Sequence, residues 1–121
     1  METKKRVLVF DDDKDILEIC TYILEEAGYE IKTSENARNI EEQVGSFMPN
    51  LIFMDNWLPD LGGITATQTL KNNPTLKNIP VIYFSANTDI EKLANQAGAD
   101  SYLAKPFDIT DLEEIVKTHL I

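Results

Sequence analysis

Val7-Leu8-Val9-Phe10-Asp11-Asp12-Asp13 sets four apolar residues in a row directly against three consecutive acids. A short, uninterrupted apolar run reads as a buried strand, here one that ends abruptly at charge. The same design returns at Leu51-Ile52-Phe53-Met54, which ends at Asp55, and at Val81-Ile82-Tyr83-Phe84, which ends at Ser85. Amphipathic segments separate these runs. Ile16, Leu17, Cys20, Ile23, Leu24 and Ala27 recur at helical spacing and mark one face of a helix, with Gly28 as a natural stop. Tyr29, Ile31 and Thr33 alternate with Glu30 and Lys32 as a second strand, whose charges suit a sheet edge.

Further along, helices are predicted over Asn36 to Phe47, around Ile40 and Val44, and over Ile64 to Lys71. Ile90, Leu93, Ala94 and Ala97 mark another, closed by Gly98. Tyr102-Leu103-Ala104 forms a short last strand ending at Lys105. A final helix turns Ile109, Leu112, Ile115, Val116 and Leu120 inward, with Asp111, Glu113 and Glu114 in its early turns, where the helix dipole favours acids. Strands and helices in strict alternation imply an α/β fold with a parallel sheet covered on both faces. Right-handed crossovers restrict it to a doubly wound, five-stranded sandwich.

The 121 residues suit one domain, 1–121, without repeat or linker. An apolar fraction of 43% supports a packed core rather than disorder. Asp plus Glu number 21 against 11 Lys plus Arg, a formal charge of -10 that opposes direct nucleic-acid binding. The basic cluster Lys4-Lys5-Arg6 is too short to reverse this and reads as a solvated lead-in to a strand. Cys20 is the single cysteine, so no internal disulfide forms; its apolar neighbours make it a small core side chain. With one histidine, His119, whose default role is to favour a helix C-terminus, no structural zinc site can be assembled. The purely apolar runs hold about four residues where a membrane helix needs about 20. No signal-peptide pattern precedes them. A soluble, cytoplasmic protein without a membrane partner is expected.

In open parallel sheets the ligand site lies beyond the carboxyl ends of the strands, at the topological switch point. That rule gathers Asp11, Asp12, Asp55, Ser85 and Lys105 on one rim, although they are far apart in sequence. Three carboxylates about 4–5 Å apart repel by several kcal/mol per pair at an effective dielectric of roughly 20. A cation must offset this, or one carboxyl must keep its proton. Oxygen-only ligands point to Mg²⁺ or a similar hard ion such as Mn²⁺, and Lys105 adds positive charge. A hard cation beside a lysine is a place for a phosphoryl group, and a carboxylate can accept one as an acyl phosphate. One acid after a strand is ordinarily a helix cap, as expected for Asp13. Four strand ends carrying Asp-Asp, Asp, Ser and Lys together favour the functional reading.

These residues are familiar in combination. Val7 to Asp13, Asp55-Asn56-Trp57-Leu58-Pro59-Asp60 with Gly63, Pro80 to Ala86, and Gly98 to Phe107 follow one another at matching spacing. On them the chain resembles the receiver domains of bacterial response regulators over essentially its full length. The resemblance implies a flavodoxin-like sheet of order 2-1-3-4-5, for which such a domain is itself a standard example. It implies Asp55 as phosphoacceptor from the phosphohistidine of a histidine kinase or phosphotransfer protein. Mg²⁺ would be bound by Asp12, Asp55 and the backbone carbonyl of Trp57, with Asp11 acting through a metal-bound water. Lys105 would pair with phosphoryl oxygens, Ser85 would move toward them, and Tyr102 would turn inward behind it. The last two helices and the fifth strand would then change shape for a downstream protein target or effector domain. Lys105-Pro106 is expected to be cis, as in the resembling family.

Some positions depart from the pattern. Trp57 and Asn87 occupy places that, by the resemblance, modulate loss of the phosphoryl group to water. Gly62-Gly63 replaces the commoner acid-glycine pair and is expected to loosen the following helix. Two other readings compete: a phosphatase with Asp11 as nucleophile, and an interaction module that works without phosphate. The length disfavours the first, and the complete set of acids with Lys105 disfavours the second. The chain carries no DNA-binding or catalytic output domain, so either it signals by binding a protein or it is a piece of a larger regulator or hybrid kinase.

Overall fold

The computed structural model describes residues 4–120. Its strands are β1 (Arg6–Phe10), β2 (Glu30–Ser34), β3 (Leu51–Asp55), β4 (Val81–Ser85) and β5 (Ser101–Ala104). They alternate with helices α1 (Lys14–Glu26), α2 (Ile40–Phe47), α3 (Gly63–Lys71), α4 (Ile90–Ala97) and α5 (Ile109–His119). The apolar runs become the three inner strands. All strand pairs are parallel, in the order β2-β1-β3-β4-β5. Only fully apolar strands can occupy the middle, because helices cover both faces there.

Strand alternation divides the core in two. Val7, Val9 and Phe53 face α1 and α5, packing with Leu17, Cys20, Leu24, Leu112 and Val116. Leu8, Phe10 and Met54 face the other way, against Ile40 and Val44 of α2 and Ala66 and Leu70 of α3. On that second face Tyr83 packs with Ile90, Ala94 and Ala97 of α4. Cys20 is fully buried, and its thiol is pushed up to about 12, first by burial and then by the Asp11 charge. It is a core side chain, as its spacing predicts.

The helix ends follow the local chemistry. Asp13 caps α1 through a hydrogen bond from the Asp15 amide, and Gly28 follows the helix at φ +95°. Asp108 and Asp111 form a reciprocal capping box on α5. His119 stands in the last turn of α5, its Nδ1 2.8 Å from the Ile115 carbonyl oxygen. The Lys105-Pro106 bond is cis. Among the described residues no helix is long and apolar enough to cross a membrane.

Several expectations need correction. The second helix begins at Ile40 rather than Asn36, because the Asn36 side chain accepts the Arg38 amide and closes a turn instead. The edge strand starts at Glu30, and Thr33 is exposed, because an edge strand is covered on fewer sides than the strands inside the sheet. Ala27, at the end of α1, is exposed as well. Ile109 lies 58% exposed rather than inward. As the first residue of α5 it projects beyond the turn that Leu112 and Val116 press onto the sheet.

Candidate functional site

The chain steps to opposite sides of β1 when it lays down β2 and β3, so the β1/β3 boundary is the switch point. Asp11 follows β1 directly and Asp55 is the last residue of β3. Oxygen atoms from Asp11, Asp12 and Asp55 all lie within 4.8 Å of one another. Asp11 is 1% exposed and Asp55 5%, whereas Asp12 opens to solvent. The cluster is therefore rooted in the protein and open on one side.

Lys105 arrives from the end of β5, whose register is set by the Lys105 amide donating to the Ser85 carbonyl at 2.9 Å. Its Nζ lies 2.6 Å from Asp11 Oδ2 and 2.9 Å from Asp55 Oδ1. The ammonium also stands 4.6 Å over the Phe84 ring, a cation–π contact that holds charge at the edge of the core. Burial pulls the Lys105 pKa down, but the hydrogen bonds it donates to Asp11 and Asp55, with their charges, outweigh this, and the net direction is up. The lysine stays charged.

Asp55 is placed differently. Burial raises its carboxyl from 3.8 to about 6; the Lys105 hydrogen bond and charge oppose this, and the charges of Asp11 and Asp12 reinforce it. One ammonium does not balance three acids. The donor set fits a divalent cation: carboxylate oxygens only, one face open to water, and an excess of negative charge.

The other expected residues stand around this cluster. Ser85, 4% exposed, ends β4 next to β3, and its Oγ accepts the Asn87 amide at 3.0 Å rather than touching Asp55. Tyr102 is 41% exposed on the outer strand, its hydroxyl 3.4 Å from Glu91 Oε2 of α4. Trp57 is 78% exposed, so its indole does not shield the acids. Pro106 follows Lys105 in the cis bond already described.

Two residues contribute in ways that a motif does not show. Phe84 was legible only as a core residue, yet its ring lies under the Lys105 ammonium and stacks edge-on with Phe53 and Phe107. Gly63 belongs to the third helix. It begins that helix, its amide donates to the Asn56 carbonyl at 3.0 Å, and a Cβ there would lie 2.1 Å from the Asp55 carbonyl oxygen. Only glycine lets α3 approach the Asp55 backbone so closely.

Fold and site together define a parallel α/β domain with an acidic pocket fit for a divalent cation and a lysine at its switch point. The family of response regulator receiver domains matches residues 7–117, and the chain belongs to it. It is 31% identical to Protein PilG of Pseudomonas aeruginosa over 117 residues, covering 95% of this chain and 87% of that protein. To the DNA-binding dual master transcriptional regulator RpaA of Synechocystis it is 32% identical over 109 residues. That match takes in 88% of this chain but 45% of the regulator, so the chain spans less than half the length of this relative. Among solved structures, a putative response regulator from Chloroflexus aurantiacus superposes with a TM-score of 0.90 at 30% identity, over 98% of each chain. The chain is thus a two-component receiver domain, and its acidic cluster is consistent with a phosphoacceptor switch.

Proposed function

We propose that Asp55 accepts the phosphoryl group, delivered by the phosphohistidine of a histidine kinase or phosphotransfer protein in the cytoplasm. A carboxylate oxygen attacks phosphorus as the P–N bond breaks, and the histidine nitrogen leaves with its electron pair. Asp12, Asp55 and the Trp57 carbonyl, with Asp11 through a water, would hold Mg²⁺ (or Mn²⁺), which would supply positive charge beside the transferring group. Lys105 holds the phosphoryl oxygens from the other side. It already bridges Asp11 and Asp55, so it needs only to exchange one carboxylate oxygen for a phosphoryl oxygen.

The switch follows from the same rim. Ser85 leaves the Asn87 amide for a phosphoryl oxygen, and Tyr102 leaves Glu91 to turn inward behind it. Strand β5 with α4 and α5 then presents a changed surface to a downstream protein or effector domain. A protein partner also suits the exposed apolar residues Ile19, Tyr22 and Ile109 on α1 and α5, which a solvated face does not require. One observation carries this reading: three acids within 4.8 Å, two of them tied to one lysine. Against Asp11 as a nucleophile stands its own engagement, since it binds Lys105 and accepts the Asp13 amide at 2.9 Å.

Acetyl phosphate with Mg²⁺ is expected to add one phosphoryl group to the wild type in intact-mass spectra, and none to Asp55→Asn. Equal uptake by both would refute the assignment. Steady turnover of a phosphomonoester that Asp11→Asn abolishes and Asp55→Asn retains would move the chemistry to Asp11.

A further inference from the structure

Tyr83 is the largest side chain in the fully buried core, and it sits two residues before Ser85 in β4. A phenylalanine would fill the same volume. The tyrosine instead carries a hydroxyl into the interior, where an unpaired one costs several kcal/mol at most and about 1–3 in typical proteins. That hydroxyl donates to the side-chain oxygen of Asn56, the residue immediately after Asp55. Asn56 in turn accepts the Gly63 amide through its backbone carbonyl, at 3.0 Å. Asn56 is therefore held at two points, its side chain by Tyr83 of β4 and its backbone carbonyl by the first residue of α3.

We propose that the Tyr83–Asn56 hydrogen bond is a positioning device for the metal and phosphoryl pocket, holding the turn between Asp55 and Trp57 in its ligand-ready form. The proposal rests on the phosphoacceptor reading of Asp55 and extends it to two residues that never touch the reacting atoms. Asn56 lies between the two proposed metal-holding residues of that turn, so freedom at Asn56 is freedom at both. Tyr83 is fixed in its turn by packing against Ile90, Ala94 and Ala97, which gives the turn a rigid anchor on α4. The phenol is suited to the task because burial, reinforced by the charge of Asp55, pushes its pKa up to about 12 and keeps it a donor. A polar partner to a metal-binding group orients it, and removal of such partners commonly weakens metal affinity while the ligands remain.

Mn²⁺ binding to the full chain, followed by loss of the free ion's paramagnetic resonance signal, tests this directly. Tyr83→Phe and Asn56→Ala are each expected to bind Mn²⁺ about tenfold more weakly than the wild type. The double variant should be no weaker than either single one, because the pair acts as a unit. Val44→Ala, which loosens the core under α2 away from the pocket, separates lost positioning from lost stability and should bind Mn²⁺ as the wild type does. Wild-type affinity in Tyr83→Phe would overturn the inference while leaving the phosphoacceptor reading intact. Equal weakening in Val44→Ala would overturn it too, as a mere stability effect. A wild type that binds no Mn²⁺ would instead remove the metal-site reading and this inference with it.

Discussion

Burial raises the Asp55 carboxyl from 3.8 to about 6 even though Lys105 pulls against it. Between those values the folded chain holds a proton that the unfolded chain has released, so stability falls as pH rises through the window. It stays lower above it. Asparagine has the same shape and no charge to bury. In a chelator, Asp55→Asn is therefore expected to be about 1–3 kcal/mol more stable than the wild type near neutral pH. The advantage should vanish as the pH falls toward 3.8, as urea denaturation across pH will show. A pH-independent difference would mean that Asp55 titrates alike in both states. A second residue tells a simpler story. Among the described residues Thr67 carries a fully buried hydroxyl with no partner. Thr67→Val keeps the shape and removes the unpaired group, and should raise stability by about 1 kcal/mol. A lower denaturation midpoint for this variant would mean the hydroxyl is satisfied in solution. Neither effect is readable from residue type: an aspartate after a strand and a threonine in a helix are both commonplace until burial is known.

At the scale of the element, α3 shows how closely the scaffold is built onto the site. A Cβ at Gly63 would overlap the Asp55 carbonyl oxygen, at 2.1 Å. Backbone, not a flexible side chain, stands in the way, so α3 must shift. Gly63→Ala is expected to cost about 3 kcal/mol in stability. It should slow phosphorylation by acetyl phosphate as well, because the displaced turn carries Asp55; a variant with wild-type stability and rate would show that α3 is free to move. The sequence predicted all five helices and five strands in order, since period and apolar runs are local signals. It misplaced the start of α2, where the Asn36 turn competes with helix at short range, and the side of Ile109, where one exposed first-turn residue still obeys helical spacing. The close approach of Gly63 to Asp55 lay beyond it, because packing distance leaves no trace in a local pattern.

The whole molecule carries a formal charge of -10, so ions act on it in two ways. Any salt screens the general self-repulsion, whereas a divalent cation also binds the acidic cluster. MgCl₂ should therefore stabilise the wild type beyond NaCl of equal ionic strength, by about 1.4 kcal/mol when Mg²⁺ is at ten times its dissociation constant. Asp12→Asn should lose that excess and keep the response to NaCl; an undiminished excess would place the ion elsewhere. Composition foretold the sign of this charge, and the order of apolar runs and helical faces foretold a doubly wound parallel sheet. The strand-end acids, Ser85 and Lys105 were legible too, because in such a sheet the carboxyl ends of all strands share one rim. Only tertiary structure could decide that Lys105 bridges Asp11 and Asp55, that Phe84 lies beneath it, and that Tyr83 reaches Asn56. Periodicity tells which face of an element a side chain takes, but partners from different elements meet at distances and angles that only the packed chain sets.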